Sequence, residues 1–423
     1  MTDQRLLLQL DASDFDHMDH TRAACCVEPA ADAVKTNLIY FEYFNKGAAN
    51  VIFKIHPWTP TSPSPNKPFQ LLGNIQLVDG KRYTGSPLPL QAVSNKVLRV
   101  PRGKAKCLSG EDIIKGFEGT IRPLFEPKNG KSNIASVAEP ASAASPQVAL
   151  STHLMNHDAV VLLPSVMEHF VAITEKGTFE SMKSAQGPQS LTHRRWGMFL
   201  PDMSSTPNAS VTLEIKPKWL VQSPNAPKSA IRCRTCAMQI HSPKSRDTYI
   251  CPLRLVNGNE HDLCMWMQTT VAHLLSGKAK ISEHPPPQSA VESVRDHILE
   301  YITKGDGRIL LQHLRRLQKQ LDPHGVLSRD RCKPLDKFDH DLRAAMTLRD
   351  CSFFIKLSYT TDGAISPHIT SKLGDLDFKS AEKIEDWAQK EMTLLRYELY
   401  TEKIPNDDLT CWVTRGGGSP NSV

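Results

Sequence analysis

Through roughly the first half of the chain, apolar residues recur at alternate positions in short runs bounded by Pro, Gly, Asn or Asp, which is the pattern of β-strands. Asn37 to Phe44 and Val51 to Ile55 are two such runs, joined by Asn45-Lys46-Gly47-Ala48-Ala49-Asn50, and Lys96 to Val100 is a third. They predict a hairpin followed by another strand. Val160 to Leu163, Gly197 to Leu200, Val211 to Ile215 and Ser352 to Tyr359 read as further strands. Elsewhere in the second half the spacing changes to three and four residues, predicting helices over Leu263 to Leu275, Ala290 to Thr303, Arg308 to Leu321 and Ser380 to Tyr400. Two stretches break the pattern and predict loops: Pro57 to Pro89, with seven prolines, and the Ala/Ser/Pro-rich Glu126 to Gln147. The expectation is an α+β protein with a strand-rich N-terminal lobe, a larger and mostly helical C-terminal lobe, and the ligand cleft between them.

Composition narrows the class of protein. With 423 residues, 40% of them hydrophobic, the chain has enough apolar side chains for one large or two medium cores. No apolar stretch approaches the roughly 20 residues that cross a bilayer, and the acidic, His-containing run Asp11 to His20 stands where a signal peptide would be basic and then apolar. Ten cysteines at irregular positions do not read as a disulfide framework, so the nucleus or the cytoplasm is the expected compartment. The balance of 51 basic and 45 acidic residues gives +6, a surplus too small to identify a partner until its distribution is considered.

That distribution is uneven. Arg99, Arg102, Lys104 and Lys106 are four cations in eight residues with no acid among them, and Arg99 lies inside the apolar run Val97-Leu98-Arg99-Val100, where a partly buried guanidinium requires an anion. In the extended segment Glu214-Ile215-Lys216-Pro217-Lys218, alternation places Glu214, Lys216 and Lys218 on one face. A structural ion pair explains that pattern as readily as a ligand site. Lys228 to Arg246 is the most basic stretch, free of acids. It contains Cys233-Arg234-Thr235-Cys236, half of a zinc site, to which His241 and Cys251 could supply two further ligands; buried free thiols are the alternative. The small residues of Gly47-Ala48-Ala49-Asn50 allow backbone amides to approach a phosphate, although an ordinary hairpin turn reads the same way. Asp350, before the apolar strand Phe353-Phe354-Ile355, and Asp375, ahead of the last helix, are carboxylates placed to accept a proton or hold Mg²⁺. Lys379, Lys383 and Trp387 follow at i, i+4, i+8 and predict one face of that helix.

Taken in order, Gly-Ala-Ala-Asn, Val-Leu-Arg-Val, Met198 to Asp202, Glu-Ile-Lys-Pro-Lys, Cys-Arg-x-Cys, Arg-Asp-Cys-Ser and Asp-Leu-x-x-Lys resemble the inositol-pentakisphosphate 2-kinase family across residues 47 to 387. The resemblance implies a two-lobed kinase-like fold, with residues 1–202 forming the N-terminal lobe and 203–423 the C-terminal lobe. It implies ATP and Mg²⁺ as cofactors, inositol pentakisphosphate as substrate, and transfer to the axial 2-hydroxyl to give inositol hexakisphosphate. Carried across residue by residue, it assigns the ATP phosphates to Gly47, Ala48, Ala49, Asn50 and Arg99, the adenine hinge to Pro201 and Asp202, and Glu214 to the nucleotide site. Inositol phosphates fall to Arg194 or Arg195, Lys216, Lys218, Arg234, Arg308, Lys379 and Lys383. Asp350 becomes the general base and Asp375 the Mg²⁺ ligand. Departures are Lys383 in place of the arginine and Trp387 in place of the tyrosine of some members, and Cys236 where plant members carry a lysine; the zinc site of plant members lies elsewhere in their chain.

The substrate's charge agrees with this distribution. Five phosphates bring about −8 to −10 near neutrality, which a mildly basic protein can meet only by concentrating its cations. The competing readings are a kinase-like protein that binds inositol phosphates without turnover, and a nucleic-acid-binding protein using Lys228 to Arg246. Two carboxylates beside a polyanion argue against the first, and the lack of interleaved aromatics argues against the second. A monomer, with neither membrane nor nucleic-acid partner, is expected.

Overall fold

In a computed structural model, the structure describes residues 10–11, 23–29, 36–62, 67–78, 82–103, 108–127, 149–179, 196–206, 209–243, 249–276, 288–359, 365–403 and 411–415. The chain divides into two compact units, one comprising 1–118 with 155–202 and the other 119–154 with 203–423.

Among the described residues, the first unit has nine strands: β1 (Leu10–Asp11), β2 (Ala24–Val27), β3 (Leu38–Lys46), β4 (Asn50–Pro57), β5 (Phe69–Val78), β6 (Arg82–Pro87), β7 (Lys96–Pro101), β8 (Asp158–Leu162) and β9 (Trp196–Pro201). Their order is β1-β6-β5-β2-β8-β9-β7-β4-β3, and β3 also pairs with β5, so seven of the strands close into a ring. Alternation explains the hairpin. Phe41 on β3 and Val51 and Phe53 on β4 are buried, while Glu42 faces solvent. The helix α1 (Gly110–Gly116) sends Ile113 and Ile114 into one core with Val161, Trp196 and Met198. From α2 (Pro164–Ile173), Phe170 stacks on Phe53 with centroids 4.2 Å apart in a second core. Burial of such a side chain contributes about 1.5–3 kcal/mol. Gly110 has no alternative at its position, because a Cβ there would lie 2.1 Å from the Trp196 carbonyl oxygen.

The second unit contains an antiparallel sheet of β10 (Ser210–Ile215), β11 (Ser352–Tyr359) and β12 (Ile365–Gly374), in that order. Its helices are α3 (Arg234–His241), α4 (Pro252–Asn257), α5 (Glu260–Ser276), α6 (Gln288–Thr303), α7 (Asp306–Leu321), α8 (Leu335–Asp350) and α9 (Ile384–Arg396). Helices α5 to α8 pack in succession. The fold class is α+β. Because β10 and β12 both run antiparallel to β11, Ile215, Ser352 and Gly374 meet at one edge, with Ile215 opposite Phe353 and Ser352 opposite Gly374.

Two local expectations change, and a third falls mostly outside the described residues. Pro57 to Pro89 is not all loop, since it contains β5 and β6. Its prolines gather at 57–68 and 87–89, leaving Phe69 to Val78 free of proline and able to form a strand whose register shifts between Gly73 and Gln76. Residues 128–148, most of the second predicted loop, lie outside the described residues. The last helix begins later than Ser380, as a 3₁₀ turn over Ala381–Lys383 that leads into α9. Lys379 therefore precedes the helix, and Trp387 turns inward against Val326, Leu342 and Ile384 instead of sharing a stripe with the lysines. Among the described residues no helix is long and apolar enough to cross a membrane.

Candidate functional site

At the edge where β10, β11 and β12 meet, three carboxylates and three lysines converge. Lys216 Nζ lies 2.7 Å from Asp375 Oδ2 and 3.2 Å from Glu214 Oε1. It also donates to Ser352 Oγ. The Ser352 hydroxyl lies 2.8 Å from both Glu214 Oε1 and Asp375 Oδ2, so a buried serine joins the two acids. On the other side, Asp350 accepts from Lys379 Nζ at 2.7 Å and from Lys218 Nζ at 3.1 Å. All six charged side chains are part-exposed; those of Asp350 and Asp375 are 54% and 51% exposed.

The backbone is shaped to present them. Lys218 has φ +55° and Asp375 φ +54°, left-handed conformations that non-glycine residues rarely adopt and that cost free energy where they occur. Gln318 on α7, fully buried, holds the first of these turns. Its Oε1 accepts from Leu220 N and its Nε2 donates to the Lys218 carbonyl, both at 2.9 Å. The segment that follows the second is held from α8. Thr347 Oγ1 accepts from Lys379 N at 3.1 Å, and Arg343 Nε donates to the Lys379 carbonyl at 2.6 Å.

Electrostatics set the ionisation of the acids. Asp350 ends α8, where the helix dipole disfavours a carboxylate. Burial also works against its charge, but Lys379 first and then Lys218 overcome this and hold its pKa down at about 2. Lys216 is shifted the opposite way. Desolvation lowers its pKa, yet Asp375 and Glu214 together raise it above the usual lysine value. With three ammonium groups facing three carboxylates, the cluster is close to neutral.

The other residues singled out in the sequence are distributed as follows. In the first unit, Gly47 to Asn50 forms the turn between β3 and β4, with Gly47 N donating to Asn50 O at 2.9 Å and Arg102 donating to the Gly47 carbonyl at 2.9 Å. Arg99 is 4% exposed, and with the Asn50 amide oriented by its neighbours, Asn50 oxygen accepts from Arg99 Nε at 3.1 Å. Pro201 ends β9 and Asp202 follows it, its carboxylate paired with Lys54, a residue the sequence reading missed. In the second unit, Arg308 stands in the first turn of α7 with a buried Nη1 that lacks an acceptor among the described residues; burial, then the charge of Arg315, lowers its pKa. Lys383 is exposed just before α9. Arg194, Arg195, Lys104 and Lys106 lie outside the described residues.

Arg234 differs from the expectation. It is 7% exposed and its Nε donates to Glu391 Oε2 at 2.7 Å, so its charge is consumed by an internal partner. Glu391 in turn accepts from Ser223 and Tyr400. The cysteine cluster differs as well: Cys233, Cys236 and Cys251 meet Cys411, whereas His241, the last residue of α3, is exposed and stacks on Tyr397 at 6.3 Å. Neither Cys411 nor Glu391 is near these partners in sequence, and no local spacing could have found them. Ser352 was detectable, being two residues from Asp350. A cavity of about 580 Å³ lined by His324, Arg331, Lys333 and Lys337 involves none of the residues selected from the sequence.

A family model described as inositol-pentakisphosphate 2-kinase matches residues 43–393. The chain is also 32% identical over 198 residues to an inositol-pentakisphosphate 2-kinase of Yarrowia lipolytica, an alignment covering 47% of this chain and 56% of that protein. The match thus spans little more than half the length of the relative.

Proposed function

The chain belongs to the inositol-pentakisphosphate 2-kinase family, and on that premise we propose that it transfers the γ-phosphoryl group of ATP to the axial 2-hydroxyl of inositol 1,3,4,5,6-pentakisphosphate. The observation that carries this reading is the convergence of Lys216, Lys218 and Lys379 on Glu214, Asp350 and Asp375 at one sheet edge. A polyanion with five phosphates competes with those carboxylates for the same ammonium groups. Arg308, whose buried nitrogen lacks an acceptor among the described residues, suits a further phosphate.

The competition has a catalytic consequence. In the resting cluster Lys379 and Lys218 suppress the basicity of Asp350. When these lysines turn to substrate phosphates, their hold on Asp350 is lost and the phosphate charge opposes its ionisation, so its pKa rises toward the range of an effective general base. Asp350 then takes the proton of the attacking hydroxyl as the phosphoryl group transfers. The donor set of Asp375 and Glu214 is hard oxygen and fits Mg²⁺, which with the ATP phosphates would neutralise charge on the transferring group. Ser352 orients these two carboxylates by hydrogen bonds. ATP phosphates are assigned to the Gly47 to Asn50 turn with Arg99. Since Gly47 N–H closes the turn on Asn50, the amides of Ala48 and Ala49 are the ones available for that contact.

The test is incubation with ATP, Mg²⁺ and inositol 1,3,4,5,6-pentakisphosphate, followed by phosphorus NMR. A new resonance for a 2-phosphate with stoichiometric ADP is the expected result. Saturable binding of the substrate without ADP would leave a non-catalytic inositol-phosphate-binding protein.

A further inference from the structure

Four cysteine sulfurs come together away from the phosphate chemistry. Cys233 is the N-cap of α3 and Cys236 lies in its first turn; Cys251 is the N-cap of α4; Cys411 arrives from 160 residues further along the chain. All are buried, at 3% exposure or less, and their sulfurs all lie within 4.8 Å of one another. Cys233 Sγ is 3.8 Å from Cys251 Sγ, and Cys251 Sγ is 3.9 Å from Cys411 Sγ. A tetrahedron of thiolates around zinc, with Zn–S of about 2.3 Å, has edges of about 3.8 Å. A disulfide needs about 2.05 Å.

Two touching thiols would be ordinary core packing. Four that converge from three segments, with donors aimed at their sulfurs, form a coordination set. Cys233 N–H donates to Cys411 Sγ at 3.2 Å, Cys236 N–H donates to Cys233 Sγ at 3.4 Å, and the Tyr249 hydroxyl lies 3.1 Å from Cys236 Sγ. Such donors stabilise thiolates and orient them. Arg254, one turn along α4 from Cys251, carries two buried guanidinium nitrogens lacking acceptors among the described residues.

We propose that Cys233, Cys236, Cys251 and Cys411 bind one structural zinc ion, and that Cys411 thereby ties the C-terminal segment to α3 and α4. Binding exchanges four thiol protons for one Zn²⁺, leaving the site with a net charge of −2 that the N–H donors partly offset. With four protein sulfurs the shell is closed, so the ion holds structure and performs no chemistry. Its position matters to the fold because Arg234, next to Cys233, makes the buried pair with Glu391 of α9. The inference does not depend on the kinase reading.

The full chain, purified from zinc-replete culture, should carry one zinc per molecule by plasma mass spectrometry, and a strong chelator should lower its melting temperature by about 5 °C or more. Replacement by cobalt(II) should give the intense visible bands of a tetrahedral thiolate site. Cys411→Ser should lose most of the zinc, while His241→Ala keeps it. Should Cys411→Ser fail to fold, the wild-type protein still decides: four of its ten cysteines should resist a thiol reagent until chelator is added. Absence of zinc from the replete wild type, iron in its place, or zinc lost with His241 and retained without Cys411 would each overturn the proposal.

Discussion

Two groups of charged side chains lie back to back in the second unit, and adjacent residues divide between them. Lys218 and Asp350 belong to the open cluster of lysines and carboxylates. Their chain neighbours Trp219 and Arg349 belong to a closed network in which the ring of Trp219, 7% exposed, has the guanidinium of Arg349 3.5 Å and that of Arg234 4.3 Å from its centroid. In the closed network the charges are met internally: Arg349 by Asp322 at 2.6 Å, Arg234 by Glu391 at 2.7 Å. In the open cluster the same types of pair are half exposed, and the acids they hold stand at strand ends where a ligand can displace them. Burial, and not the kind of residue, decides which arginine or lysine is free to exchange partners. Anchoring residues 218 and 350 by their buried neighbours also explains how a solvent-facing cluster keeps its geometry.

If the closed network is structural, its disruption should be the costlier change. Arg234→Met leaves Glu391 buried and without its cationic partner, and should reduce stability by about 3–5 kcal/mol in denaturant unfolding, with the affinity of the remaining folded protein for inositol pentakisphosphate nearly unchanged. Restoration by the double variant Arg234→Met, Glu391→Leu would confirm a closed pair; a selective loss of substrate affinity at normal stability would return Arg234 to the phosphate contacts. The open cluster should respond in reverse. Asp350→Asn should lower kcat by about 10² or more with ATP affinity within a few-fold and thermal stability intact. Near-normal turnover would remove Asp350 from the base role.

A finer test concerns the support between the two groups. Gln318→Leu preserves volume and removes both hydrogen bonds to the Lys218 turn, so KM for inositol pentakisphosphate should rise roughly tenfold while KM for ATP stays put. An equal rise for both substrates would mean general loosening. The smallest expected effect is in pH dependence. With its pKa near 2 in the free enzyme, Asp350 is ionised across the working range and should contribute no acidic limb to kcat/KM in the wild type. Lys379→Met removes the largest charge that depresses it, so the pKa rises and activity should begin to fall as pH drops through the new, higher value. A limb that does not move would show that Asp350 is not the titrating base.

The sequence by itself determined what short range can encode. Period-two alternation gave the hairpin of β3 and β4, and put Glu214 and Lys216 on one face, where they meet at 3.2 Å. Spacing by three and four residues gave α5, α6 and α7, and the ordered motifs gave the family. The tertiary structure alone decided which charges remain available. Arg234 and Lys218 look equally suited to a phosphate in the sequence, yet one is sealed against Glu391 and the other faces Asp350. In the same way Cys411 rather than His241 completes the sulfur cluster, and Trp387 turns into the core. The physical reason is that periodicity fixes the direction of a side chain relative to its neighbours, whereas desolvation and pairing depend on segments more than a hundred residues away that packing brings into contact.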